Sequence, residues 1–258
     1  MTAFDVPAVD YDSFMGRYSR PLAERFADFA ELDDVRRVLD VGCGPGALTG
    51  VLVDRLGAGR VSAAEPSQRF AAACRERHPG ADVRVTPGET LPWPDATFGV
   101  ALAQLVLPFM DDAPAGAAEM RRVVRPGGTV AACSWDQRGG MRMLRVFWEA
   151  VRSEADDTHN ESRRLWSTPE ELQGLWAGAG LEEVQVGELT VEAEYVDFDD
   201  FWRPFLAGVG PAGAYCAGLD AGTQARIRDR CRRLLGDPQA GFTLPARAWA
   251  VRGRVPAP

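Results

Sequence analysis

Apolar and polar positions in the first half of the chain alternate between short hydrophobic runs and amphipathic stretches. The hydrophobic runs predict buried strands at 37–41, 61–65, 83–86, 98–105 and 129–135. Between several of them, apolar residues recur at helical spacing and predict helices at 47–56, 68–78 and 114–124. Strands that alternate with helices favour a parallel sheet covered by helices on both faces.

The second half departs from this alternation. Helices are predicted at 141–155, after the capping residue Thr168, at 198–206 and at 221–235. Long extended segments at 181–196 and 242–251 predict two further strands. We therefore predict an α/β fold with a doubly wound, mostly parallel seven-stranded sheet and helical insertions that form a lid. A single domain is expected, made of an N-terminal arm and helix (1–34), a binding core (35–135) and a C-terminal half with the lid helices and last two strands (136–258).

The N-terminal arm is unusually apolar for a chain terminus. Residues 11–18 contain two tyrosines together with Phe14 and Met15, so this segment has to pack on something. It either covers the sheet or folds as a flap over a bound ligand, which would bring Tyr11 against that ligand. A helix is predicted to follow at 21–32, with Pro21 in its first turn.

The first strand runs directly into a glycine-rich turn and then into a helix. Gly42, Gly44 and Gly46 lie in this turn. Glycine permits positive φ and lets a ligand approach the backbone closely. The free N–H groups of the following helix then point at that ligand. The sequence thus predicts a small-molecule cradle at 42–46.

A carboxylate ends the second predicted strand. Glu65 comes 19 residues after Gly46, a spacing typical of acidic residues that accept hydrogen bonds from ribose hydroxyls. Gly88, Glu89 and Gln104 follow the third and fourth strands. Because the carboxyl ends of parallel strands share one edge of the sheet, these residues are expected to converge on a single crevice that binds a nucleoside-containing ligand.

Composition excludes several classes of function. The chain has 258 residues, 46% of them hydrophobic, and a net charge of −8, which disfavours nucleic acid as a partner. It contains no apolar run of membrane-spanning length, and its N-terminus lacks the features of a signal peptide, so a cytoplasmic protein without membrane contact is expected. Its five cysteines and two histidines show no metal-ligand spacing, so no metal site is predicted.

The string from Asp40 to Gly46, Asp-Val-Gly-Cys-Gly-Pro-Gly, resembles the first motif of the class I S-adenosylmethionine-dependent methyltransferases. The segments 91–98 and 119–128 resemble further motifs of the small-molecule group typified by enzymes of ubiquinone and menaquinone biosynthesis. The resemblance implies a Rossmann-like methyltransferase fold, S-adenosyl-L-methionine as cofactor and S-adenosyl-L-homocysteine as product. The sequence departs from the family pattern at Pro87 and Gly99, because the family usually has aspartates at these two positions.

The resemblance also implies roles for individual residues. Asp40 and the backbone of the turn would hold the methionine end of the cofactor, Glu65 the ribose hydroxyls, and Gln104 would lie near the sulfonium. The remaining cofactor-binding residues that it implies are Gly42, Cys43, Gly44 and Gly46 in the turn, Pro66 against adenine, and Gly88 and Glu89 beside the adenine amino group.

The predicted reaction is methyl transfer to an O, N or C atom of a small molecule, chiefly by proximity and alignment. His159 is the candidate general base, although a surface histidine would look the same in the sequence. All 29 basic residues are arginine, which together with abundant alanine and glycine is typical of GC-rich genomes, where such enzymes often modify secondary metabolites. The expected assembly is a monomer or homodimer.

Two other functions remain open at this stage. Gly42-x-Gly44-x-x-Ala47 also fits the dinucleotide fingerprint, so an NAD(P)-dependent oxidoreductase is an alternative, although the chain has no lysine for a Tyr-x-x-x-Lys pair. The second alternative is a catalytically silent protein that binds an adenosyl ligand.

Overall fold

A computed structural model describes residues 6–32, 37–155 and 165–257, and within these ranges seven strands form one sheet. The strands are β1 (Val38–Val41), β2 (Val61–Ala64), β3 (Asp82–Arg84), β4 (Phe98–Gln104), β5 (Val124–Trp135), β6 (Glu182–Tyr195) and β7 (Phe242–Arg254). Their order is β3-β2-β1-β4-β5-β7-β6. Strands β1 to β5 are parallel, whereas β7 runs antiparallel to both of its neighbours. The prediction of a mostly parallel seven-stranded sheet is confirmed.

Helices pack on both faces of this sheet. They are α1 (Ala8–Tyr11), α2 (Arg17–Phe29), α3 (Ala47–Leu56), α4 (Gln68–Arg77), α5 (Ala113–Val123), α6 (Arg142–Glu154), α7 (Pro169–Gly178), α8 (Phe198–Leu206), α9 (Gly210–Ala217) and α10 (Ala221–Leu234). One core joins α2, α3, α6 and α8 to α10 on one face, and a second joins α5 and α7 on the other. None of the helices in the described ranges is long and apolar enough to cross a membrane.

The N-terminal arm differs from the prediction. It is helical, because α1 continues through a π-helical turn at Asp12–Gly16 into α2. Pro21 therefore lies inside α2 rather than in the first turn of a helix. The sequence shows the proline, but not the helical turns that precede it.

The connection between β6 and β7 contains one more helix than predicted. Helix α9 follows α8 directly and buries Ala212 and Cys216. The connection from α8 to α9 and the start of α9 lie at the carboxyl edge of the sheet, where they contribute to a cavity.

Strand β6 forms one outer edge of the sheet. Its residues alternate between buried and exposed near its carboxyl end, and the exposed positions include Glu188, Glu192 and Glu194. The alternation is that of a strand with one face on the core and one in water.

Candidate functional site

A cavity of about 470 Å³ opens where β1, β2, β4 and β5 end. Its volume falls within the range of about 300–1,000 Å³ that is usual for small-molecule sites. Six of the residues predicted from the sequence line it, namely Tyr11, Gly42, Gly44, Glu65, Pro66 and Gln104. The parallel sheet brings these residues together because each follows or ends a strand at the same edge, apart from Tyr11, which the N-terminal helices supply.

Glu65 is fixed at the floor of the cavity. Its Oε2 accepts a hydrogen bond from the N–H of Gly44 at 2.8 Å, and its Oε1 accepts one from the N–H of Ser67 at 2.9 Å. Burial raises the pKa of Glu65, and the two backbone N–H groups oppose that rise. Each carboxylate oxygen keeps a lone pair with which to accept a hydroxyl proton from a ligand.

The three glycines of the turn serve different purposes. A Cβ at Gly42 would overlap Val106, and one at Gly46 would lie 2.7 Å from the His78 ring. At Gly44 a Cβ would meet no atom within 4 Å. Gly42 and Gly46 are therefore required by protein packing as well as by their positive φ, whereas the space beside Gly44 is open to a ligand.

Asp40 lies beneath the turn and is completely buried. Its Oδ2 accepts a hydrogen bond from the Thr49 hydroxyl at 2.7 Å, but its Oδ1 has no partner. Desolvation raises the pKa of Asp40 to about 7, with Thr49 opposing the rise. Asp40 is an uncompensated buried acid that a cationic group nearby would stabilise in its ionised form.

Gln104 ends β4 in the middle of the cavity edge. Its Nε2 donates to the carbonyl oxygen of Ser19 at 2.9 Å, which fixes the amide orientation and ties α2 to the sheet. Its Oε1 is buried without a partner. Gln104 therefore offers a hydrogen-bond acceptor to a ligand.

The N-terminal segment forms one wall of the cavity. Tyr11, Phe14 and Met15 line it, and the Tyr11 ring packs edge-on against Phe70 with centroids 5.4 Å apart. Burial and the nearby Glu65 carboxylate raise the pKa of Tyr11 to about 12, so its hydroxyl stays protonated. Phe14 also belongs to the core, so this segment both covers the sheet and borders the ligand space.

Arg77 connects this wall to the glycine turn. Its Nη2 donates to Asp12 Oδ2 at 2.7 Å, and its Nη1 donates to the Pro45 carbonyl oxygen at 3.1 Å. Arg20 also binds Asp12, at 2.8 Å, but no contact links it to the turn. Arg77, unlike Arg20, therefore links the N-terminal wall of the cavity to the glycine turn.

We expect Arg77→Met to weaken binding of S-adenosylhomocysteine, the product that the sequence resemblance implies, about fivefold, because a partly exposed ion pair and a carbonyl hydrogen bond are together worth about 1 kcal/mol. Isothermal titration of the variant measures this. Arg20→Met is the matched control, since it removes an Asp12 partner without touching the turn, and its effect is expected to stay within twofold. Equal effects of the two substitutions would show that Arg77 does not position the turn.

The other predicted residues lie outside the lining of the cavity. Asp40 lies beneath the turn, and Cys43 and Gly46 belong to the turn without lining the cavity. Gly88 packs against Met110 and Val41, and Glu89 accepts a hydrogen bond from the Asp112 N–H at 3.2 Å. His159 lies outside the described residues.

Several lining residues were missed by sequence reasoning. Trp135 ends β5 and could have been found by the same strand-end rule that gave Gln104. Leu144 and the segment 209–212 could not, because their position depends on how α6, α8 and α9 fold back over the sheet.

Comparison with known proteins shows the family of the chain. Residues 39–132 match the methyltransferase domain family. A malonyl-acyl-carrier-protein O-methyltransferase from Pseudescherichia vulneris is 30% identical over 193 residues, which cover 70% of this chain and 70% of that protein.

The chain belongs to the class I S-adenosylmethionine-dependent methyltransferases. Nocamycin O-methyltransferase from Saccharothrix syringae is 35% identical over 133 residues, 49% of this methyltransferase. That match spans 48% of the Saccharothrix protein. A malonyl-acyl-carrier-protein O-methyltransferase from Serratia marcescens is 28% identical over 59% of this chain, and this second match spans 58% of the Serratia protein.

The fold of the methyltransferase also resembles solved structures. A proposed methyltransferase from an antibiotic biosynthesis pathway of Anabaena variabilis superimposes with a TM-score of 0.63 at 18% identity. The superposition covers 90% of this chain and 98% of that one. At this identity the likeness concerns the fold alone.

The cavity of this methyltransferase fits the family's cofactor in three respects. The space beside Gly44 is open, Glu65 presents fixed carboxylate oxygens, and the buried Gln104 oxygen at the cavity lacks a partner. Unpaired buried acceptors are costly and suit a ligand that carries hydroxyl donors and positive charge.

Proposed function

We propose that this methyltransferase binds S-adenosylmethionine in the cavity and methylates an O, N or C atom of a small molecule, a secondary metabolite. The observation that carries the proposal is the convergence of Gly44, Glu65 and Gln104 on one cavity of suitable volume. The family assignment removes the oxidoreductase alternative.

Different residues of the chain would bind different parts of the cofactor. Glu65 would accept hydrogen bonds from the ribose hydroxyls, while Pro66, Phe70 and Tyr11 would enclose the adenine. The glycine turn and Asp40 would hold the methionine end, and Gln104 would lie near the sulfonium. Gly88 and Glu89 are left out of this assignment because they do not line the cavity.

When bound, the cofactor supplies a methyl group that is already activated by positively charged sulfur. The chain has to place the acceptor atom in line with the methyl carbon and exclude competing water, and alignment of this kind can supply about 7–11 kcal/mol of the barrier. The chain's own part would be to hold the acceptor's electron pair, which is a lone pair on O or N and a π or carbanion pair on C, in line with that methyl group. A proton carried by the acceptor atom would need a path from the site to solvent or to a basic side chain.

Isothermal titration tests the proposal. S-adenosylhomocysteine and S-adenosylmethionine are each expected to bind with one site per chain, and NADH, titrated at the same concentration, is expected not to bind. Absence of heat from both adenosyl compounds would overturn the proposal. Binding without methyl transfer in a broad acceptor screen would instead support the catalytically silent alternative.

A further inference from the structure

The described side chains that line the cavity include acids but no bases. Among its described lining residues there is no arginine, lysine or histidine, although the chain contains 29 basic residues. The ionisable acids in the lining are Glu65 and Asp111. The described lining side chains therefore give the cavity a negative or neutral character, and none of them is a cation that could pair with an anionic ligand.

The cavity has two ends, which the strand order separates. Glu65 follows β2 and Trp135 ends β5, three strand positions apart in the sheet. At about 4.8 Å per strand this places the two ends roughly 14 Å apart. The β2 end holds the residues assigned to the adenosyl group, so the β5 end is left for the methyl acceptor.

The β5 end is predominantly apolar. It is formed by Phe14, Trp135, Leu144, Val209, Pro211 and Ala212. Aromatic contacts support this wall from behind, since Phe14 packs edge-on against Phe205, which stacks on Phe147 with centroids 4.5 Å apart. A wall supported in this way is preformed and selects ligands by apolar contact.

The polar groups at this end are uncharged amides. Gln137 lines the cavity there, and Gln104 contributes the unpaired Oε1 from the centre. Arg17 is paired with Asp200 at 3.0 Å, and the exposed Arg138 lies 3.6 Å from Glu171. The unpaired Gln104 oxygen accepts a hydrogen bond from a hydroxyl but repels a carboxylate, whereas the Gln137 amide can bond to either without supplying a positive charge.

On the basis of the proposed function, we propose that the methyl acceptor enters as an uncharged, largely apolar molecule that bears a hydroxyl group, and not as a carboxylate. The start of α9 also borders this end, and its N–H groups would favour an anion. The field of one helix end is weaker than the desolvation penalty of a buried carboxylate, which apolar walls and two lining acids increase.

A matched pair of probes tests this inference. Protein saturated with S-adenosylhomocysteine is titrated at pH 7 with 2-naphthol, which is uncharged, and with 2-naphthoate, which has the same ring system and a negative charge. We expect naphthol to bind at least tenfold more tightly. Equal or tighter binding of naphthoate, or no binding of naphthol at millimolar concentration, would overturn the inference.

A substitution at the half-buried Gln137 supplies a second test. Gln137→Arg introduces a cation at the acceptor end and is expected to raise naphthoate affinity at least tenfold. Gln137→Met, which is of similar length and uncharged, is expected to leave naphthoate binding weak. If the ratio of naphthol affinity to naphthoate affinity is the same in Gln137→Arg as in the wild type, the lack of a cation does not explain weak naphthoate binding.

The two proposals fail in distinguishable ways. The titration with S-adenosylhomocysteine comes first, and its failure would overturn the proposed function. If that compound binds and naphthoate is preferred, only the inference about the acceptor is wrong.

Discussion

Replacement of Glu65 by glutamine is expected to weaken S-adenosylhomocysteine binding by about 100-fold. Both carboxylate oxygens accept backbone N–H groups, from Gly44 and Ser67. A glutamine has one oxygen, so its amide nitrogen would face one of these donors and distort the turn. Loss of charge-assisted bonds to the ribose hydroxyls adds to this, and hydrogen bonds to charged groups are worth about 1.5–3 kcal/mol.

The matched control for this change is Glu76→Gln. Glu76 is exposed on α4, so the same change of charge is made close to the site without altering the cavity. Its effect on binding is expected to stay within twofold. Isothermal titration measures both variants, and circular dichroism confirms that they fold. A Glu65→Gln protein that folds and binds within threefold of the wild type would show that the carboxylate does not hold the ligand.

The unliganded protein is expected to lose stability as the pH rises from 5 to 7. The folded state keeps a proton on Asp40 up to pH about 7, whereas the carboxyl has an ordinary pKa of 3.8 when unfolded. Between these values the folded state binds more protons than the unfolded state, so the free energy of unfolding falls as the pH rises. The slope is at most about 1.4 kcal/mol per pH unit and flattens as the pH approaches 7, which gives about 2 kcal/mol over this interval.

Asp40→Asn isolates this contribution. Glu65 also has a raised pKa and acts in the same direction, but it is present in both proteins. Urea denaturation at several pH values is expected to show that the variant gains about 2 kcal/mol relative to the wild type between pH 5 and 7. Parallel curves for the two proteins would mean that Asp40 is already ionised at pH 5.

The sequence predicts the bounds of an element correctly where a residue such as glycine marks each of its ends. Helix α3 was predicted at 47–56 and is found there, because Gly46 and Gly57 flank it and both have positive φ. Strand β5 was predicted to begin at 129 but begins at Val124. The Gly127 N–H donates to the Val255 carbonyl, a partner more than 120 residues away that no local pattern reveals.

The same contrast applies to α9. Gly210, Pro211 and Gly213 have low helix propensity, so the segment lacks a helical pattern. Its burial against neighbouring helices decides its conformation, and it is this tertiary packing that places Val209 and Ala212 at the cavity.

For the candidate site, topology explains both what was predicted and what was not. Residues that directly follow β1, β2 and β4 reach the cavity because the strand order brings those ends together. Gly88 and Glu89 follow β3 at the edge of the sheet, and their loop turns toward Met110 and Asp112 instead. The positions of the strands in the sequence do not determine how that loop packs.

The acidic residues along β6 determine how copies of the protein can meet. An outer strand offers unpaired backbone groups to another strand, and pairing of two β6 strands would extend one sheet across two molecules. Such pairing would bring Glu188, Glu192 and Glu194 of one copy close to the same residues of the other, and like charges across a strand pair are destabilising. Pairing of two β6 strands is therefore disfavoured at neutral pH.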